Sequence, residues 1–336
     1  MTNSKPTAIA MTSPLHNPGT SPGTPNPDST PRNFSCLTYR TRNIGDIIQT
    51  IALSRLLPPM AAVFRHQLES APTDRLFVVN GFLERDRPPL HGATCLFAGI
   101  SGPYMRKPLY LDWLRRSPWP VGARDPVTAS RLSLAGIPNQ LSGCATLTLP
   151  RYNGPRQGIV SVDFNGPGTR LHHHIPRTLS LQEQWALADL LLTKYRTAEA
   201  VYTSRLHVAL PCLAFGTPVF IASPEVRGFP ERFSLIKEMG IPFDQLVSRD
   251  ISAHANHYIQ FLESHLGQPI IPSDPKPPAL VSPDHLRLRD RTRFAAEDLW
   301  YTLQFNWGRE GRRLRRLRSR SRSSLATLPD SQNPPP

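Results

Sequence analysis

The chain lacks most of the features that would fix its class at once. No stretch approaches the roughly 18 uninterrupted apolar residues of a membrane-spanning helix, and the first 33 residues contain no apolar core of a secretory signal. Cysteine is scarce. Cys36, Cys95, Cys144 and Cys212 stand singly with no C-x-x-C pair, so the spacing carries no disulfide framework, and reduced thiols in a cytoplasmic protein are the simplest expectation. There is no G-x-x-x-x-G-K-S/T phosphate loop, no G-x-G-x-x-G fingerprint and no G-x-S-x-G elbow, which excludes the commonest sequence signatures of nucleotide binding and of serine hydrolysis.

Proline and positive charge are abundant. The chain has 336 residues, 37 of them proline, and 39% are apolar, enough for one large or two ordinary domains. Its formal charge is +14, but the charge is concentrated. Residues 309–322 hold eight arginines and one glutamate, a net +7 and half of the total. That segment suits nucleic acid or an anionic membrane surface through counterion release, and equally a solvated tail with no dedicated partner. No aromatic residue interleaves the arginines, which argues against base stacking. The expected organisation is a disordered Pro/Ser/Thr-rich tail over 1–33, an α/β domain over 34–150, a second over 151–270, a connector and final helix over 271–308, and a disordered tail over 309–336.

Within that frame the apolar periodicity marks alternating strands and helices. Ile44, Ile47, Ile48, Ile51 and Ala52 form one helical stripe that Pro58-Pro59 stops, with Asn43 as the expected cap. Strand-like runs follow at Leu76–Asn80, Thr94–Ala98 and Trp119–Gly122, then a helix from Pro126 to Ala135. After the Gly/Pro/Asn-rich gap at 150–158 the pattern restarts. Ile159–Phe164 reads as a buried strand. Ser180 and Glu183 form a capping box for a helix that turns Trp185, Ala188, Leu191, Leu192 and Tyr195 inward. Ala200–Thr203 then leads through Ser204-Arg205-Leu206-His207 into an apolar helix, and Gly216-Thr217-Pro218 opens a new strand. Two Rossmann-like domains facing across a cleft, the GT-B-like arrangement, account for two such halves. A single doubly wound sheet is the other arrangement that fits.

The corner at Ser204 to His207 carries the chemistry. In open α/β sheets the carboxyl ends of strands meet helix N-termini, whose free N–H groups and partial positive charge favour anions. An arginine and a histidine there make an anion site. With Ser204 as cap, His207 falls in the first turn, where the dipole disfavours imidazolium. Pro211 conflicts with a regular helix, so the helix either kinks or begins later. His172-His173-His174 suggests a metal, but only alternate positions of a strand share a face and no nearby Cys or His completes a set, Asp163 being the one further candidate ligand. No metal site is expected.

Two upstream segments complete the pattern: Arg42-Asn43-Ile44-Gly45-Asp46 and Val121-Gly122-Ala123-Arg124-Asp125-Pro126. In this order, with the run from Arg205-Leu206-His207 through Gly216-Thr217-Pro218-Val219 after them, they resemble the polysaccharide pyruvyl transferase family over about Ser35 to Ser223. Its members show N-x-G-D opening the first helix, a mid-chain R-D pair, and R-L-H followed by A-x-x-x-G-x-P-V. Here Val208 follows R-L-H where glycine is common, and Ala98-Gly99-Ile100-Ser101-Gly102 has fewer glycines than the family's turn. The resemblance implies a cytoplasmic transferase that moves a pyruvyl group from phosphoenolpyruvate, a co-substrate, to a saccharide in cell-surface or exopolysaccharide biosynthesis, with no cofactor. It implies His207 and Asp125 as catalytic residues, Arg205, Ser204 and Arg124 for the donor anion, and Asn43, Gly45 and Asp46 for the acceptor. By cap logic alone Asn43 and Asp46 are structural, and Arg124-Asp125 reads equally as an ion pair bracing a strand end. A glycosyltransferase using a nucleotide-sugar, or a non-catalytic glycan- or nucleic-acid-binding protein, are the other readings.

Overall fold

Alternating strands and helices build two separate sheets, because each β-α-β crossover returns the chain parallel to the strand it left. The computed structural model describes residues 33–40, 42–83, 92–102, 108–223, 230–281, 292–296 and 298–299. The first run comprises β1 (Phe34–Thr38), α1 (Gly45–Ser54), β2 (Met60–Phe64), β3 (Leu76–Phe82), β4 (Cys95–Ser101), α2 (Pro108–Arg115), β5 (Val121–Ala123), α3 (Pro126–Leu134) and β6 (Asn139–Leu141). The second comprises β7 (Ile159–Val162), β8 (Thr169–Leu171), α4 (Leu181–Thr197), β9 (Ala200–Thr203), α5 (Leu206–Phe215), β10 (Val219–Ile221), α6 (Ser234–Glu238) and β11 (Leu246–Val247). Helix α7 (Ser252–Leu266) and β12 (Ala279–Leu280) follow.

The strand orders are β12-β2-β1-β3-β4-β5-β6 and β11-β10-β9-β7-β8. Every pairing is parallel except β10 with β11. Each order reverses direction once, between β1 and β3 in the first sheet and between β7 and β9 in the second. Such switch points open a crevice at the carboxyl ends of the flanking strands.

Several sequence expectations change in the folded chain. Helix α1 does not bury a single stripe: all ten of its residues are buried, as α5's are. Its second face is covered from the other sheet's side, and the buried apolar residues form one contiguous cluster from Phe34 to Ile270. A helix enclosed all round needs no polar face. Nor is Asn43 its cap. Ile44 holds that position without a side-chain bond, while Asn43 Oδ1 accepts the Gly45 N–H at 3.3 Å. The capping box of α4 forms as read, with Ser180 Oγ accepting from the Glu183 N–H and Glu183 Oε2 from the Ser180 N–H.

Residues 150–158 contain no helix or strand. Arg156 clamps this stretch to the end of α5, donating to the Phe215 carbonyl at 2.8 Å and to that of Tyr152 at 3.0 Å. The proline-rich stretch after residue 269 is not only a connector, since β12 within it joins the edge of the first sheet beside β2. Helix α7 also lies on that sheet: Tyr258 donates its hydroxyl to the Ala98 carbonyl at 3.1 Å. Gly122 of β5 makes this possible, because a Cβ there would sit 2.6 Å from both Phe261 Cζ and the Phe97 carbonyl oxygen. Residues 292–296 and 298–299 are helical, where the final helix was expected. The remainder of that helix, the tail at 309–336 and residues 1–32 lie outside the described residues. No described helix is long and apolar enough to cross a membrane.

Candidate functional site

The switch points of both sheets open onto one cavity. Its lining includes Asn43 and Asp46 beyond β1, Phe82 at the end of β3, Arg124 beyond β5, and Ser204, Arg205 and His207 beyond β9. The three sequence segments, spanning Asn43 to His207, therefore meet there. The cavity has a volume of about 40 Å³, room for about three waters.

Arg124 is the most deeply placed cation, only 2% exposed. A buried guanidinium needs compensating charge. Asp125 supplies it, with Oδ2 3.5 Å from Arg124 Nε. Asp125 itself caps α3 through Oδ1, which accepts the Thr128 N–H at 2.9 Å, and it is not among the cavity's lining residues. Arg124 does line the cavity, and its Nε lacks a hydrogen-bond partner among the described residues.

At the other side, Arg205 and not Ser204 is the residue that precedes the helix. Arg205 is the N-cap of α5, with extended φ/ψ, and its N–H donates to Thr203 Oγ1 at 2.9 Å. Ser204 Oγ donates to the Asp163 carbonyl at 3.3 Å. His207 is thus the second helical residue, and its φ/ψ of −83° and 23° leave the helical region. The cause is Pro211: four residues on, it has no N–H to give the His207 carbonyl, so nothing holds that residue to helical geometry. The helix continues past the kink and ends at Gly216, in the left-handed conformation.

His207 is 8% exposed, and its Nε2 has no partner among the described residues. Burial, reinforced by Arg124, Arg232 and His173, holds its imidazole well below the usual histidine range. It is therefore neutral at pH 7, through burial and neighbouring cations more than through a helix dipole. The space before Gly45 is filled by this ring: a Cβ on Gly45 would lie 3.0 Å from His207 Cβ and 3.2 Å from its Nδ1. The glycine admits a histidine from the other sheet to the start of α1, which places Asp46, 7% exposed, on the same cavity.

Arg232, not singled out in the sequence, and Asp163, weighed there only as a metal ligand, complete the surroundings. Arg232, from the segment before α6, lines the cavity with Phe233 and rests its guanidinium 5.8 Å from the Phe82 ring centroid. Neighbouring Glu231 pairs with Arg131 of α3. Asp163, just beyond β7, accepts from Arg205 Nε at 2.7 Å through Oδ2. Its one visible signal for that pairing was a carboxylate directly ending a strand. Burial pushes its pKa up, but the Arg205 guanidinium and the bonds from His172 and His173 outweigh this and hold the carboxyl below the usual range.

The three consecutive histidines act as a strap. The His173 carbonyl accepts the Ile44 N–H at 2.9 Å, the Arg42 carbonyl accepts the Ile175 N–H at 3.0 Å, and Asn43 bridges His174. His172 Nδ1 lies 3.0 Å from Asp163 Oδ1, and His173 Nε2 lies 2.8 Å from the Tyr195 hydroxyl. Asp298 closes the same corner. It accepts the Arg177 N–H at 2.8 Å and pairs with Arg42 at 3.4 Å. No cluster of three or more metal-binding side chains occurs among the described residues.

The family model of polysaccharide pyruvyl transferase matches residues 15–225. The crystal structure of a functionally uncharacterized protein from Klebsiella pneumoniae subsp. pneumoniae is similar to this chain at 12% identity, covering 64% of this chain and 93% of that one, with a TM-score of 0.38. No curated protein matches the chain. The nucleotide-sugar reading receives no support from these matches.

Proposed function

This chain belongs to the polysaccharide pyruvyl transferase family, and from that premise we propose that it moves the pyruvyl group of phosphoenolpyruvate onto two neighbouring hydroxyls of a saccharide, as a ketal, in cell-surface or exopolysaccharide biosynthesis. The observation that carries the reading is the meeting of three arginines, Arg124, Arg205 and Arg232, with a neutral histidine around one cavity. Phosphoenolpyruvate presents a carboxylate and a phosphate, and guanidinium groups match both by paired hydrogen bonds. In this reading the two sheets are two Rossmann-like halves in a GT-B-like arrangement, with the donor between their strand ends.

Arg124 and Arg205 hold the anionic groups of the donor, with Arg232 at the rim. His207, neutral and in reach of the cavity, accepts the proton of an attacking hydroxyl as general base. The reaction balances through that relay. Two sugar O–H bonds break and two C–O bonds form at C2, while one proton ends on the methylene carbon, making it methyl. The other leaves with phosphate as the C–O bond to phosphorus's oxygen breaks. Asp46 and Asn43, at the start of α1, are placed to orient the acceptor hydroxyls. Asp125 acts behind Arg124, holding its charge, and does not reach the substrate.

The test is calorimetric titration with phosphoenolpyruvate and with UDP- and GDP-sugars, run on wild type, Arg205→Ala and His207→Gln. Phosphoenolpyruvate binding lost in Arg205→Ala, and phosphate release falling about 100-fold or more in His207→Gln while binding persists, is the expected outcome. Binding of a nucleotide-sugar in place of phosphoenolpyruvate overturns the reading.

A further inference from the structure

The chemistry above leaves a partly buried carboxylate unused. Asp163 has a φ of 49°, one of two non-glycine residues with positive φ among the described residues, a conformation that aspartate reaches more readily than most residues and that tight surroundings hold in place. Here they do. Its Oδ2 accepts from Arg205 Nε at 2.7 Å and from the His173 N–H at 3.3 Å. Its Oδ1 faces His172 Nδ1 at 3.0 Å, and its carbonyl accepts the Ser204 hydroxyl at 3.3 Å. The Asp163 side chain is 11% exposed, and Asp163 does not line the cavity, so it acts only through other groups.

A guanidinium is planar, so fixing Nε fixes the plane in which both Nη groups lie. Arg124 is held differently: Asp125 Oδ2 lies 3.5 Å from its Nε as an ion-pair partner without a hydrogen bond. Of the two arginines, Arg205 is the one whose Nε a carboxylate fixes by a hydrogen bond. The same carboxylate is tied both to Arg205 and to the histidine strap, more than a simple two-partner ion pair needs.

We propose that Asp163 is a positioning residue: it locks the plane of Arg205 so that the Nη fork meets the anionic donor, and through the same carboxylate it fixes the strap that aligns the Asn43 loop. The donor half of this statement rests on the pyruvyl-transfer reading; the orientation of Arg205 does not. In full-length unliganded protein, the Arg205 Nε–H resonance, identified by its loss in Arg205→Lys, is expected to be protected from solvent exchange. Asp163→Asn, which tolerates the left-handed backbone, accelerates that exchange, and phosphoenolpyruvate or inorganic phosphate then binds about tenfold more weakly.

Should Asp163→Asn fail to fold, Asp163→Glu, which keeps the charge and displaces the carboxylate by one methylene, provides the same two readings. Unchanged Nε–H protection, or unchanged phosphoenolpyruvate affinity in a variant of a wild type that binds it, overturns the proposal. A wild type that binds neither anion removes the pyruvyl-transfer reading instead, and the exchange rate alone then decides the positioning of Arg205.

Discussion

At the scale of single residues the site combines cations with histidines that burial keeps neutral. Burial pushes the His173 imidazole down to about 3 and holds His207 well below its usual range. Both folded-state values are lowered, so the unfolded chain takes up these protons first. The associated stability is present above about pH 6.5, the unfolded value, and is lost as pH falls toward the folded values. Each histidine steepens the decline by about 1.4 kcal/mol per pH unit within that window. We therefore expect the urea midpoint to fall between pH 6.5 and 4, and His173→Gln, which keeps a partner for Tyr195, to flatten the decline. A midpoint independent of pH over that range would contradict the burial of these rings.

At the scale of elements, the kink at the start of α5 links a helix-breaking residue to chemistry. Pro211 frees the His207 carbonyl from the helical ladder, and His207 adopts φ/ψ that a regular first turn would forbid. Pro211→Ala restores the missing N–H and draws His207 into helical geometry. The expected result is an unchanged thermal midpoint with kcat lowered about tenfold or more, because small displacements of a reacting group are costly. Equal kcat would show that the kink does not set the histidine. The conflict itself was legible in the sequence as proline within an apolar helix. Its resolution was not, since the cap lay one residue later than the serine suggested and only main-chain geometry revealed it.

At the scale of the whole described chain, the two sheets share one buried cluster, and the second run ends by returning to the first sheet through α7 and β12. Gly122 is where that return is most confined. Gly122→Ala places a methyl 2.6 Å from Phe97 O and Phe261 Cζ, and neither a strand carbonyl nor a packed ring has room to retreat. Destabilisation of about 1–3 kcal/mol or more is expected, read as a lower urea midpoint with little change in slope. A wild-type midpoint would mean that α7 packs more loosely than this contact requires.

The sequence by itself determined the α/β alternation, the capping box at Ser180, a first helix ending before Pro58 and the three polar segments, because those depend on local periodicity, caps and breakers. It could not reveal β12, whose two residues become a strand only beside β2, nor the complete burial of α1, which depends on what lies against its second face. Arg232 was likewise invisible, and Asp163 was legible only as a conceivable metal ligand and not as the partner of Arg205, since a lone carboxylate or arginine carries no spacing signal. Their meaning comes from the atoms opposite them. Only the tertiary structure decided that Asn43, Arg124 and His207 share one cavity, because that requires the switch points of two sheets to open toward each other, a relation between distant strand ends that no local pattern encodes.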